Sequence, residues 1–263
     1  MEIDVKTCAA FLIATALALP ASAEALKIAT SADYPPWESV NEANEIIGFD
    51  REVGDELCKR LSLECTWVNQ AYDGLLPGLQ IGRFDAVMSA VSINAERAGQ
   101  VDFTIAYADA PNRFAMLPGA GITQPTEAAG LKDALDGKIV GVQSGTTHEQ
   151  VMAAHFPDVT VRIYERPDQI FADMQAQRID AGLMELSAWE PFTGTDGKAL
   201  EFLGPQLTAA DMAEFGHGQG IALKKGSEDL KTRMDATIQQ MLADGTIAAM
   251  ARKWFGYDVS SKF

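Results

Sequence analysis

Leu75 to Ser92 reads LLPGLQIGRFDAVMSAVS, and Ile170 to Ser187 reads IFADMQAQRIDAGLMELS. Each stretch runs as a short amphipathic helix, an Arg-apolar-Asp-Ala tetrad, and a buried strand that leads into polar residues. A helix-strand unit that occurs twice predicts two similarly built α/β lobes. A second pair agrees with it: Lys27 to Thr30 (KIAT) leads into SADYPPW, and Lys138 to Val142 (KIVGV) leads into QSGTTHE. In open α/β sheets ligands collect beyond the carboxyl ends of the strands, so these four strand ends mark a cleft between the lobes. Ala90 and Glu185 each lie five residues past the Asp of their tetrad and become equivalent positions across that cleft.

Past the first strand end, Ser89 to Arg97 reads SAVSINAER. Asn94 is placed to cap a helix that carries Arg97 at its third position. Backbone N–H groups and a forked guanidinium would then converge on one spot, which suits a carboxylate. The competing reading is a solvated arginine paired with Glu96 or Asp102. On the opposite lobe, Ser144 to Glu149 (SGTTHE) joins a strand to a helix, and Thr146 and Glu149 have capping-box spacing. That loop is a second anion-friendly feature, while Glu185 offers a carboxylate, so the two faces together read as a detector of zwitterions. Tyr34, Trp37 and Tyr72 supply aromatic surface in loops after strands, flanked by Asp33 and Glu38; such faces can sandwich an aliphatic or cationic ligand chain or simply pack a lid.

Compartment is read from the N-terminus. Cys8 to Leu19 (CAAFLIATALAL) is an apolar run too short to span a bilayer, followed by Pro20 and the small-residue site Ala21-Ser22-Ala23. Residues 1–23 are expected to be a cleaved export signal, although Glu2 and Asp4 outweigh Lys6 in a region that is normally basic. The remainder, about 240 residues, suffices for one large or two modest domains and is expected to be soluble and periplasmic. Its cysteines, Cys58 and Cys65, are expected to form a disulfide from a helix end to the next strand, because exported thiols oxidise and no histidine lies near to make a metal site. The net charge of -16 argues against nucleic acid or anionic lipid as a partner.

Phe49 to Leu61 carries Val53, Leu57 and Leu61 at helical spacing, and Leu230 to Leu242 carries Leu230, Met234, Ile238, Met241 and Leu242 likewise. Both stripes are core, and the methionines need no cofactor to explain them. FGHGQG (Phe215 to Gly220) lacks the Lys-Ser/Thr of a phosphate loop and reads as a hinge crossing. His148, His155 and His217 show no metal spacing, and no nucleophile elbow is present; no metal, cofactor or catalytic residue is expected. His148 lies where it can touch a ligand.

The ordered set YPPW, GFDREVGDELCKRL, YDGLLPGL, RFDAVMSAVSINAER, GKIVGVQSGTTHE and LADGTIAAMARKWFGYD resembles the periplasmic amino-acid-binding proteins of ABC importers, solute-binding protein family 3. The resemblance is nearest to the lysine/arginine/ornithine, histidine and opine binders and covers nearly the whole chain after residue 23. It implies a type II periplasmic-binding-protein fold: lobe 1 from residues 24–110 plus 217–263, lobe 2 from residues 111–216, and a two-strand hinge between them. It implies an amino acid or derivative as ligand, an inner-membrane ABC permease as partner, and a monomer. By the same resemblance Cys58 and Cys65 match a family disulfide. Arg97 would clamp the ligand carboxylate with N–H groups of Ser92 and Thr147. The ligand amine would meet Ser92, the Ala90 carbonyl and Glu185. Tyr34 and Tyr72 would stack on the side chain, with Ser89, Gln143, Thr146 and His148 lining the rest. Three departures bear on the ligand: Ser31 stands where basic amino-acid binders carry an acid, which leaves Asp33 as a substitute; Glu185 stands for an Asp; and Ala90 stands for a Ser. The enzyme alternative is a cyclohexadienyl-dehydratase-like activity with Glu185 as general acid.

Overall fold

The computed structural model describes residues 24–194 and 199–262; the expected export signal, residues 1–23, lies outside them. The first run of elements is β1 (Ala25–Thr30), β2 (Asp33–Tyr34), β3 (Glu38–Val40), β4 (Ile46–Ile47), α1 (Phe49–Leu61), β5 (Glu64–Asn69), α2 (Leu75–Gln80), β6 (Ala86–Val87), α3 (Ala95–Gln100) and β7 (Asp102–Phe103). A second run follows: β8 (Asn112–Met116), α4 (Leu131–Ala134), β9 (Ile139–Gln143), α5 (Thr147–His155), β10 (Thr160–Tyr164), α6 (Pro167–Gln175), β11 (Ala181–Glu185) and β12 (Glu201–Leu207). The chain closes with β13 (Ala222–Leu223), α7 (Glu228–Ala243) and α8 (Thr246–Phe255).

The repeat seen in sequence is a repeat of topology. One sheet has the order β5-β1-β6-β13-β7, the other β10-β9-β11-β8-β12. In each, three parallel strands linked by helices are followed by one antiparallel strand, β13 or β8, and then an edge strand. β6 and β11 are therefore equivalent, and the two tetrads sit at the same place in two like sheets. β13 reaches the first sheet only after the chain has built the second.

Between the sheets the chain crosses in paired segments. Gln219 bridges both Ser92 and Ala108, its N–H donating to Ala108 O at 2.8 Å and its carbonyl accepting from Tyr107 N at 2.9 Å. Gly218 sits at φ 79°, and a Cβ there would lie 2.6 Å from Ala108 O, so this close approach requires glycine. The reading of FGHGQG as a crossing therefore describes its geometry.

α1 buries Val53 and Leu57, and α7 buries Met234, Ile238 and Met241, as their spacing requires. Cys58 and Cys65 are disulfide-bonded and tie the end of α1 to the start of β5. Trp37 corrects an expectation. Its ring is fully buried, edge-on to Phe49 at 5.6 Å and to Phe255 at 5.0 Å, so it belongs to the core rather than to a ligand-facing surface. Its indole N–H donates to Ser187 Oγ at 3.0 Å, joining the β2–β4 ribbon to the segment after β11.

Candidate ligand-binding site

The strand ends of β6, β9 and β11 converge on a narrow, partly open cavity of about 20 Å³. Tyr34, Tyr72, Ser89, Ala90, Ser92, Gln143, Thr146, Thr147, His148 and Glu185 line it. Arg97 stands beside it, lining the adjoining groove together with Tyr72 and Thr146. The eleven candidates read from the sequence are thus gathered in one place.

Arg97 is set by its cap. Asn94 Oδ1 accepts from Arg97 N at 2.9 Å, which fixes the start of α3. Arg97 is 3% exposed, and its guanidinium donates to Ser92 O at 3.2 Å, to Tyr72 Oη at 3.3 Å and to Gly145 O at 3.1 Å. No carboxylate among the described residues forms a salt bridge with it. The alternative of a solvated pair with Glu96 or Asp102 is therefore set aside, and Asp102 pairs with Lys225 instead, at 3.0 Å. A buried guanidinium held only by neutral acceptors keeps its full charge for an incoming anion.

Across the cavity, Glu185 ends β11 and is 3% exposed. Gln219 Nε2 donates to its Oε1 at 2.8 Å, while Oε2 is buried without a partner. Burial is the main reason its carboxyl is pushed up to about 8, with Asp50 and Asp109 adding to the rise and Gln219 and Arg97 opposing it. Glu185 N–H donates to Tyr34 Oη at 3.1 Å, linking the first sheet's ribbon to the second sheet.

The SGTTHE loop forms a cap with one difference from the expected box. Thr146 Oγ1 accepts from Glu149 N at 3.3 Å, but the Glu149 carboxylate accepts from Gly145 N at 2.8 Å rather than from Thr146 N. Gly145 has φ 73°, and a Cβ there would sit 3.0 Å from Asp73 Cα on the facing loop. His148 is buried with Nε2 2.8 Å from Asn112 Oδ1, and burial together with Arg97 depresses it to about 3, so the ring is neutral. His155 contacts Glu214 at 2.8 Å on the surface, away from the cavity.

Sequence reasoning missed the supports under the site. Ser89 Oγ donates to Glu38 Oε1 at 2.8 Å and accepts from Ser31 N at 3.0 Å. Ala90, held at φ 47°, donates its N–H to Asp50 Oδ2 at 2.7 Å, and Tyr107 Oη donates to Asp50 Oδ1 at 2.8 Å. The left-handed backbone at Ala90 is thereby pinned by a buried carboxylate. Asp33 is corrected as a ligand acid. It accepts from Ser31 Oγ at 2.9 Å, lies 4.0 Å from Arg166 Nη1, and does not line the cavity. Among the described residues there is no cluster of metal-ligating side chains and no helix long and apolar enough to cross a membrane.

Residues 26–257 match the model of the bacterial extracellular solute-binding proteins, family 3. The chain belongs to this family. Among its relatives, the L-arginine-binding protein of Pseudomonas aeruginosa is 35% identical over 92% of this chain and 93% of the relative. The histidine-binding periplasmic protein of Escherichia coli is 37% identical over 95% of this chain and 94% of the relative. A solved Salmonella typhimurium periplasmic binding protein of high arginine specificity superposes with a TM-score of 0.79 at 29% identity, covering 89% of this chain and all of its own. These relatives are named as binding proteins, not enzymes, and the α/β fold of this solute-binding protein is the type II periplasmic-binding-protein fold.

Proposed function

We propose that this solute-binding protein captures an amino acid or amino-acid derivative in the periplasm and delivers it, as a monomer, to an inner-membrane ABC permease. The observation that carries this reading is the pairing of a buried, carboxylate-free Arg97 with Glu185, whose Oε2 has no partner. One buried cation and one buried acid facing a small cavity match a carboxylate and an ammonium on one molecule. The relatives named for arginine and histidine supply the class. The polar or basic amino acids and the opines remain the candidates within it.

Arg97 takes the ligand carboxylate with N–H groups of Ser92 and Thr147, and the ammonium meets Ser92, the Ala90 carbonyl and Glu185. Tyr34 and Tyr72 pack along the side chain, with Ser89, Gln143, Thr146 and His148 around it. The lobes, residues 24–110 plus 217–263 and residues 111–216, close over the ligand about the crossing segments. Closure is driven by contacts that only the shut form makes, and the bonds of Tyr34 to Glu185 and of Trp37 to Ser187 are of this kind. Isothermal titration of the ligand-stripped protein with the common L-amino acids and their N-carboxyalkyl derivatives tests the reading. Binding is expected near a micromolar, about -8 kcal/mol. Binding of none of them, or binding unaffected by Arg97→Ala, overturns it.

A further inference from the structure

We infer that Gln219, on the crossing between the two sheets, is a positioning residue for ligand recognition: its amide holds one oxygen of Glu185 and leaves the other, Oε2, for the ligand ammonium. This rests on the amino-acid reading above. Glutamate has three side-chain torsions, and a buried one needs something to choose its direction. Here the choice is made from outside its own sheet. Gln219 is 3% exposed, and both its N–H and its carbonyl are committed to Ala108 and Tyr107, so its side chain is rooted in the crossing. From there Nε2 reaches Glu185 Oε1 at 2.8 Å, and the contact exists only while β11 lies against the crossing.

The chemistry of the donor matters. A lysine or arginine at this position would neutralise Glu185 and compete with an ammonium. A neutral amide favours the ionised carboxylate and leaves its charge unspent. The groups whose charge bears on Glu185 are Arg97, which favours ionisation, and Asp50 and Asp109, which oppose it. The cavity's Tyr34 and Tyr72, with Tyr107 behind, are raised phenols and stay neutral, as does His148. Gln219 adds a hydrogen bond to the ionised form, so without it Glu185 holds its proton to higher pH.

The test compares wild type with Gln219→Met, measuring affinity from about pH 5.5 to 9.5 for the best-bound compound of the twenty common L-amino acids and their N-carboxyalkyl derivatives. Taking the ratio of variant to wild type cancels titration of the ligand itself. Gln219→Met is expected to weaken binding about ten-fold or more at pH 7, with the loss narrowing towards pH 9.5. In a Glu185→Gln background the same substitution is expected to change affinity less than two-fold, since no carboxylate is left to hold. Gln219→Asn, which keeps the amide but is one methylene too short, replaces Gln219→Met if thermal melts show that the latter does not fold. An unchanged affinity, or a loss constant across pH, overturns the role of Gln219 while the amino-acid reading stands. Failure of wild type to bind any compound overturns both.

Discussion

Lys27 and Asp85 hold each other in both directions: Lys27 N donates to Asp85 Oδ2 at 2.8 Å, and Asp85 N donates to Lys27 O at 2.9 Å. Ile139 and Asp180 repeat the arrangement in the second sheet, with both distances 2.8 Å. The aspartate of each tetrad is thus a clamp that sets the register of β6 on β1 and of β11 on β9. The strand ends that form the cavity inherit their alignment from these two clamps. Asp180→Ala is expected to destabilise the protein by about 1–3 kcal/mol, because it strips a partner from a half-buried N–H. Asp85→Ala is expected to cost less, since Lys27 N is more exposed. Urea denaturation of both variants checks this, and equal midpoints for Asp180→Ala and wild type would falsify the clamp.

Arg97→Ala is expected to cost about 2–5 kcal/mol of ligand binding, roughly thirty-fold to a few thousand-fold. Arg97→Lys should recover little of it, because an ammonium cannot reproduce the fork that reaches Ser92, Tyr72 and Gly145. Titration calorimetry of both variants decides the point; near-wild-type binding by Arg97→Lys would show that charge alone suffices.

Gly145→Ala combines a left-handed backbone with a Cβ 3.0 Å from Asp73 Cα on the opposing loop. Strain at φ 73° is expected to lower stability by about 1–2 kcal/mol. The contact with Asp73 should separately weaken ligand binding, because it opposes closure. Small-angle scattering with saturating ligand should show a less contracted particle than wild type. A variant that contracts fully would place the obstruction elsewhere.

Glu38 shapes the dependence of stability on pH. Burial and the neighbouring Asp50 raise its carboxyl well above the ordinary range, and Asp33 adds to the rise. The folded chain therefore keeps a proton that the unfolded chain has lost, so the group's contribution is present in full below about pH 4.3 and declines as pH rises. Glu38→Gln is expected to flatten the fall in melting temperature between about pH 5 and 8 relative to wild type. Parallel melting curves for the two proteins would contradict it.

Reduction of the Cys58–Cys65 bond is expected to lower stability by roughly 2–3 kcal/mol, the chain-entropy value for so short a loop. Guanidinium unfolding of Cys58→Ser/Cys65→Ser against the oxidised protein measures it.

What the sequence made legible follows the range of the interactions. Asn94 and Arg97 lie three residues apart, so cap and guanidinium could be read together; Thr146 and Glu149 likewise. The tetrads were legible because they occur twice. Trp37 was not, since an aromatic beside prolines reads alike in a core or on a ligand face, and its place is decided by Phe49 and by Phe255 at the far end of the chain. Asp50 lies in the first turn of α1, where acids are common, and only its bond to the left-handed Ala90 sets it apart. Glu38 and Gln219 act through Ser89 and Glu185, which are distant in sequence, and no local pattern announces either contact.

The strand order also governs how the protein can be made. β7 is hydrogen-bonded in its sheet only to β13, so Asp102 and Phe103 wait for Ala222 and Leu223 before they have a neighbour. Every strand of the other sheet lies between Asn112 and Leu207, so that half can finish first. The last-made segment, carrying the crossing and β13, is then the stitch that completes the first-made half.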